Sequence, residues 1–174
     1  MLIDTHLKSK VLNHLKTEYN MQTYTAQVAD KLNNLLEKNY DAEKGYKTAA
    51  KNSSSNVLTD FFERKSNERE RFGQVLKNEI KSFGELPNED GSLKGTAHRT
   101  WMNVKAFLTP ENDEAMLAEA LRGEQAAIDE YNDVITSEIN LPKSTNKILR
   151  NQRDEILKDT LNIRRLDDLQ KHVS

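Results

Sequence analysis

The stretch MLAEALRGEQAAIDEY, residues 116–131, decides the fold. Its apolar side chains recur at helical spacings, which predicts one face of an α-helix. These side chains are Leu117, Leu121, Ile128 and Tyr131, with Ile135 just beyond. Glu124 falls on the same face. Because a carboxylate loses hydration inside an apolar seam, it needs a cation, a hydrogen-bond donor or a proton there. The stretch therefore predicts a helical bundle with a polar centre.

Length and charge narrow the class of protein. The chain has 174 residues, enough for one domain with its own core. It has no cysteine, which excludes disulfides, thiolate metal sites and a cysteine nucleophile. This composition is compatible with a reducing cytoplasm, the location we expect. Lys and Arg (26) nearly balance Asp and Glu (28), with a net charge of −2 and no basic run. We therefore expect neither a nucleic-acid partner nor a membrane partner.

The remaining composition predicts an all-α protein. Six Gly, three Pro and scattered β-branched residues leave almost no strand signal. Four long helices are expected, over about residues 24–51, 56–83, 110–137 and 143–169. Short turns separate the first two and the last two, so each pair should form an antiparallel hairpin. Between the pairs lie a turn-rich loop, about residues 84–95, and a short helix, about residues 96–108.

The segment between the two hairpins decides the topology. Helices of about 28 residues are about 42 Å long. Since the loop alone can stretch about 40 Å, residues 84–109 can return along the whole bundle. Helices two and three would then run parallel. Two hairpins joined by one long crossover form the ferritin-like four-helix bundle, which is the fold that we expect.

A separate amphipathic helix is expected before the bundle, which divides the chain into residues 1–21 and residues 22–174. Leu7, Val11 and Leu15 share one face of it, and Asn20-Met21-Gln22 carries no seam. Because a single amphipathic helix usually packs on its own domain, we expect it to dock outside the bundle. The alternative is a homo-oligomer formed through this helix or through the bundle surface.

Polar residues interrupt the apolar seams. Besides Glu124, they are Asn39 and Glu43 in the first helix, Lys65, Glu68 and Arg69 in the second, and Gln152 and Asp159 in the fourth. Arg69 carries five donors and a permanent charge, so it suits a buried carboxylate. We expect a satisfied internal network in which Arg69 pairs with Glu124. Such networks fix helix register in some proteins.

Three runs carry a resemblance to a known family: LLEKNYDAEKGY at residues 35–46, GTAHRTW at residues 95–101 and RGEQAAIDEY at residues 122–131. They resemble a bacterial family of ferritin-like four-helix-bundle proteins, a domain of unknown function. The similarity covers about residues 22–169 and leaves the first twenty or so residues as an addition. The resemblance implies the fold and brings no reaction with it.

The ferritin-like di-iron pattern needs one Glu from each of two helices and a Glu-x-x-His from each of the other two. Glu43 and Glu124 match the single glutamates, but neither the second nor the fourth expected helix contains a Glu-x-x-His. We therefore expect no cofactor and no metal. Iron held by a carboxylate-only cluster is the alternative, with Glu43, Glu68, Glu124 and Asp159 as its candidate ligands.

No catalytic residue is identified, because the sequence contains no triad order, phosphate loop or dinucleotide fingerprint. His98, Arg99 and Trp101 are interpreted as anchors of the crossover. Three hypotheses remain open. The first, which we favour, is a non-catalytic structural or interaction protein, stress-related by analogy with other ferritin-like proteins of this size. The second is an iron-handling oxidase with altered ligands. The third is a small-molecule binding module with its pocket in the bundle centre.

Overall fold

The computed structural model describes residues 2–89 and 113–173, and every regular secondary-structure element within these ranges is an α-helix. The four helices are α1 (Leu2–Asn52), α2 (Asn56–Ser82), α3 (Asp113–Ile135) and α4 (Lys143–Val173). The all-α prediction is confirmed. Apart from the start of α1, the predicted ends of the four helices agree with the structure to within about four residues.

Residues typical of turns lie at both ends of α2, where the sequence predicts them. Ser55 is the N-cap residue of α2, with extended backbone angles, and its carbonyl accepts a hydrogen bond from Thr59 N at 2.9 Å. Gly84 follows α2 at a φ of +77°, a left-handed conformation that glycine adopts without strain. Its amide donates to Lys81 O at 2.9 Å and so satisfies a carbonyl of the last turn.

Contacts between the helices fix their directions. Asn39 of α1 meets Tyr131 of α3, whereas the later Tyr46 meets the earlier Glu124, so α1 and α3 are antiparallel. The short turn after Asn52 also makes α1 and α2 antiparallel. Helices α2 and α3 therefore run parallel.

The ends of α2 and α3 confirm the long crossover. Asp113, at the start of α3, accepts hydrogen bonds from Ser54 N at 3.1 Å and from Ser54 Oγ at 2.6 Å, which places it at the α1–α2 turn. Glu79, near the end of α2, accepts a hydrogen bond from Thr145 at the start of α4. Residues 84–112 thus connect opposite ends of the bundle.

The described part of this connection already runs back along α1. Asn88 N donates to Asn33 Oδ1 at 2.7 Å, and the Asn88 side chain donates to Glu37 at 2.6 Å. Tyr40, farther along α1, donates its hydroxyl to Asn88 O at 3.3 Å. The predicted short helix, about residues 96–108, lies outside the described residues, as do the predicted anchors His98, Arg99 and Trp101.

The predicted N-terminal helix is present, but the predicted break around Asn20-Met21-Gln22 is wrong. Helix α1 continues through it from Leu2 to Asn52, because none of these three residues prevents helix formation as Pro would. Residues 7–23 are all exposed, so this segment does not dock on the bundle as we expected. The bundle begins at Tyr24, whose hydroxyl donates to Asn140 O at 2.8 Å. We call residues 2–22 the N-terminal arm.

The core consists of two apolar clusters along the bundle axis. One contains Leu32, Leu36, Phe72, Leu76, Ile128 and Leu149, among others. The other contains Ala49, Leu58, Phe62, Leu117 and Ile163, among others. In α4, Ile148 is only partly buried, whereas its neighbour Leu149 is fully buried. No helix within the described ranges combines the length and the apolar character that crossing a bilayer requires.

Candidate functional site

A layer of charged and polar side chains separates the two apolar clusters. We call it the charge layer. Each helix contributes two of its members: Asn39 and Tyr46 from α1, Lys65 and Arg69 from α2, Glu124 and Tyr131 from α3, and Gln152 and Asp159 from α4. Glu68, also on α2, completes it. Lys65 is three residues from Glu68 and four from Arg69, and the two members on each other helix are seven apart. These spacings return to the same face of a helix, so the helical period places the members of each helix on one side.

The centre of the charge layer is an ion pair between Arg69 and Glu124. Arg69 Nη2 donates to Glu124 Oε2 at 2.5 Å. The two side chains are only 2% and 1% exposed. Tyr46 donates its hydroxyl to the second oxygen of the same carboxylate. Glu124 therefore acquires both the cation and the donor that its place in the apolar seam requires.

Lys65 forms the second half of the charge layer and is fully buried. Its ammonium donates to Asp159 Oδ2 at 2.7 Å and to Glu68. Glu124 Oε1 lies 3.8 Å from the same ammonium. Three carboxylates thus surround one ammonium group. Because an ammonium has three donors and no acceptor, it can serve all three carboxylates at once.

Neutral groups extend the charge layer toward the larger apolar cluster. Asn39 donates to Tyr131 Oη at 2.9 Å, and Tyr131 donates to Gln152 Oε1 at 2.7 Å. Gln152 in turn donates to the main-chain carbonyl of Phe72 at 3.3 Å. Arg69 Nη1 donates to Asn39 Oδ1 at 3.4 Å, which joins this chain to the ion pair. All four helices are therefore connected through side-chain hydrogen bonds at one level.

One donor in the charge layer is unsatisfied: Arg69 Nε is buried and has no hydrogen-bond partner. Burial lowers the pKa of the Arg69 guanidinium, but the charge and hydrogen bond of Glu124, together with the nearby Tyr46 and Tyr131, outweigh burial, so the net shift is upward. Arg69 is therefore a permanent cation whose stability depends on one carboxylate. An unpaired buried donor of this kind costs about 1–3 kcal/mol.

Burial also raises the pKa of both hydroxyls in the charge layer. The pKa of Tyr46 lies well above its ordinary value because of desolvation and of the charge of Glu124. Burial raises the pKa of Tyr131 to about 12, against the opposing charge of Arg69. Both tyrosines are therefore neutral donors at physiological pH. Each keeps its proton for the acceptor that it faces.

The pKa values of the two carboxyl groups that accept hydrogen bonds from Lys65 are shifted in opposite directions. Burial raises the pKa of Glu68 above its ordinary value despite Lys65. Burial also opposes the ionisation of Asp159, but hydrogen bonds from Lys65 and Asn162 and the Lys65 charge outweigh it, so its pKa is lowered. Asp159 therefore carries the charge. The stability that protonated Glu68 contributes is present below pH 4.5 and is lost as pH rises through its folded pKa.

The arrangement of the carboxylates does not fit a metal centre. Within the described residues, no three His, Asp or Glu side chains are placed to hold a metal ion. Three of the four candidate ligands, Glu68, Glu124 and Asp159, point at the Lys65 ammonium, at the place that a shared cation would occupy. A di-metal site also needs histidines, and His98 lies outside the described residues.

The structure brings seven of the eight predicted network residues into one connected set. The eighth, Glu43, is only half-buried, and its main-chain carbonyl accepts a hydrogen bond from Ser66 at 3.2 Å. Sequence reasoning missed the hydrogen-bonding role of Tyr46, and it treated Tyr131 as an apolar seam residue. The available signal was the hydroxyl itself, because a buried tyrosine usually has a hydrogen-bond partner.

Comparison with known proteins gives the family. No curated protein matches the chain. A family model described as Domain of unknown function (DUF2383) matches residues 27–137, well over half of the chain. The match begins after the N-terminal arm and ends at the α3–α4 turn, so it covers the residues of the charge layer that α1, α2 and α3 contribute. The chain therefore belongs to the Domain of unknown function (DUF2383) family.

Proposed function

We propose that this protein is a non-catalytic structural or interaction protein, and that the charge layer fixes the register of its four helices. One observation carries the proposal: the cations at the bundle centre are the protein's own Lys65 and Arg69, both buried and both bound to carboxylates. A site built to bind an external cation or a substrate keeps its charged groups open toward that ligand. Here the charged groups are directed at one another.

The distribution of the charge layer over the helices supports the register role. If α3 moved by one turn, about 5.4 Å, Glu124 would leave Arg69 and enter an apolar cluster. The bare Arg69 guanidinium would remain behind, because its charge cannot be lost. Apolar side chains would repack after such a shift at much lower cost. The charge layer therefore penalises wrong registers more than it stabilises the right one.

The same reasoning separates this proposal from its alternatives. An iron-handling protein of ferritin-like type needs carboxylates that are free to bind metal, and Lys65 and Arg69 take up Glu68, Glu124 and Asp159. A small-molecule module needs space in the bundle centre, but Arg69, Tyr131 and Lys65 are among the largest fully buried side chains there. We propose a ferritin-like topology for the family and a cytoplasmic location for this chain. A stress-related role rests on analogy of fold and size alone.

Iron binding by the intact chain tests the non-catalytic proposal. The protein is purified in air with Fe²⁺ added, and its metal content is measured together with its thermal midpoint. We expect less than about one-tenth iron per chain and no shift of the midpoint. A Glu124→Gln variant serves as the control for adventitious surface binding. Stoichiometric iron that this variant loses would overturn the proposal.

Cross-linking between introduced cysteines tests the register role. The chain has no native cysteine, so only the introduced residues can react. Lys38 Nζ on α1 lies 2.9 Å from Glu130 Oε1 on α3, at the surface of the bundle. Because a Lys–Glu pair spans a longer distance than a disulfide, the cysteines are joined with a short bis-maleimide, and the chain with Lys38→Cys and Glu130→Cys should react faster than one with Lys38→Cys and Ala126→Cys, one turn away. Adding Arg69→Met and Glu124→Leu should bring the two rates closer together. An unchanged ratio would mean that the charge layer does not determine register.

A further inference from the structure

The N-terminal arm presents an apolar face that nothing in the described structure covers. Its large apolar side chains are between 52% and 71% exposed: Leu7, Val11, Leu12, Leu15, Tyr19 and Met21. The arm is about 30 Å long and continuous with α1. Helices of this length that lack tertiary packing are marginal in water, so the arm needs a partner surface.

The order of residues on this face is nearly symmetric about its own middle. Leu7, Val11, Leu15 and Tyr19 follow one another at intervals of four, which forms one ridge along the helix. A twofold axis that passes the ridge at the level of residue 13 would set Leu7 against Tyr19 of a second copy, and Val11 against Leu15. Ridges of this spacing pack against each other in the commonest class of helix crossing, at about 50°.

Two charges beside the ridge, those of Lys8 and Glu18, follow the same symmetry. The axis that pairs the apolar residues also brings Lys8 of one arm opposite Glu18 of the other, twice in the dimer. Within its own arm Glu18 Oε1 lies 3.3 Å from the exposed His14 Nε2, so in the dimer it lies between two basic side chains. A parallel pairing would instead place Lys8 against Lys8.

We propose that two copies of this chain associate through their N-terminal arms, antiparallel, with Lys8 of each facing Glu18 of the other. This pairing names the partner for the interaction role proposed above. It rests on residues remote from the charge layer, so either proposal can fail while the other stands.

Sedimentation equilibrium of the full chain tests the pairing. The wild type should be a dimer at about 50 µM. Val11→Glu with Leu15→Glu should give a monomer with an unchanged thermal unfolding transition, because both positions are exposed. Ser9→Glu with Asn13→Glu is the matched control: it adds the same two charges at the same spacing on the opposite face of the exposed arm, and should remain dimeric.

Charge exchange then tests the register of the pair. Lys8→Glu creates two like-charge contacts and should weaken the dimer by about tenfold. Lys8→Glu combined with Glu18→Lys restores opposite charges only across two antiparallel arms, and should return the dissociation constant to within about threefold of the wild type. A monomeric wild type overturns the proposal, and so does a wild type that instead binds anionic phospholipid vesicles. A loss that the double exchange does not recover overturns the antiparallel register.

Discussion

Replacement of the central ion pair tests the physical account of the charge layer most directly. The variants are Arg69→Met, Glu124→Leu and the two combined, which exchange charged side chains for apolar ones of similar length. Breaking a buried pair by removing one partner typically costs about 3–5 kcal/mol, whereas replacing both is often close to neutral. The structure refines these values, since the two residues do not depend on each other equally.

Loss of Glu124 should cost more than loss of Arg69. Without Glu124, the Arg69 guanidinium retains only Asn39 Oδ1, at 3.4 Å, and the Tyr46 hydroxyl loses its acceptor. We expect about 5 kcal/mol or more of destabilisation. Without Arg69, Glu124 still accepts from Tyr46 and lies 3.8 Å from Lys65, so about 3 kcal/mol is expected. The double variant should lose only about 2 kcal/mol, the cost of the polar groups left unpaired.

Urea unfolding followed by circular dichroism gives the free energy of unfolding of each variant. The expected coupling between the two sites exceeds about 3 kcal/mol. If Glu124→Leu does not fold alone, a cooperative transition in the double variant still gives the sign of the coupling. Arg71 and Glu155 form a matched control, because they pair at 2.6 Å between α2 and α4 but are 58% and 45% exposed. The same cycle there should give less than about 1 kcal/mol. Additive effects at Arg69 and Glu124 would refute the account.

Three further predictions use other parts of the structure. Glu68→Gln should raise stability at pH 7 and flatten the decline of the urea midpoint that begins above pH 4.5, because the fold raises the pKa of Glu68; exposed Glu70→Gln should leave that decline unchanged. Gly84→Ala should lower the free energy of unfolding by about 1 kcal/mol because of its φ of +77°. Gly123→Ala, inside a helix with no atom near the added methyl group, should raise it by about 0.5–1 kcal/mol. Equal effects of the two variants in thermal melts would contradict the role of Gly84 at the end of α2. Asp113→Ala should cost about 1–2 kcal/mol by removing both hydrogen bonds from Ser54, and a variant within 0.3 kcal/mol or so of wild type in urea would show that this contact does not hold α3 to the turn.

The sequence predicts the bundle because turn residues and apolar spacing are local signals. Ser55 and Gly84 mark the ends of α2 in the chain itself, and their backbone angles agree with that interpretation. The predicted break before the bundle was wrong because a helix can continue beyond the end of its apolar seam. The first 44 residues contain neither Gly nor Pro, so no local signal breaks α1 before the bundle starts.

The charge layer was harder to derive, because its contacts join residues that are far apart in the chain. Periodicity places Arg69 and Glu124 inward but says nothing of the distance between α2 and α3. The hydroxyl of Tyr46 and the position of Lys65 among three carboxylates depend on all four helices. In α4, two adjacent apolar residues compete for the core, and only packing selects Leu149 over Ile148.

The charge layer and the N-terminal arm are linked through α1, which is one uninterrupted helix from Leu2 to Asn52. Asn39 and Tyr46 fix the rotation of α1 about its own axis, because turning it would separate Asn39 from Tyr131 and Tyr46 from Glu124. Within a continuous helix, fixed rotation at Asn39 also fixes which direction Leu15 faces, about 36 Å away along the axis. An apolar core alone would leave that rotation less closely defined, since apolar side chains repack at small cost. The charge layer, through Asn39 and Tyr46, therefore determines the direction in which the arm presents its apolar ridge, and the proposed symmetric pairing of two arms requires that direction to be the same in every copy.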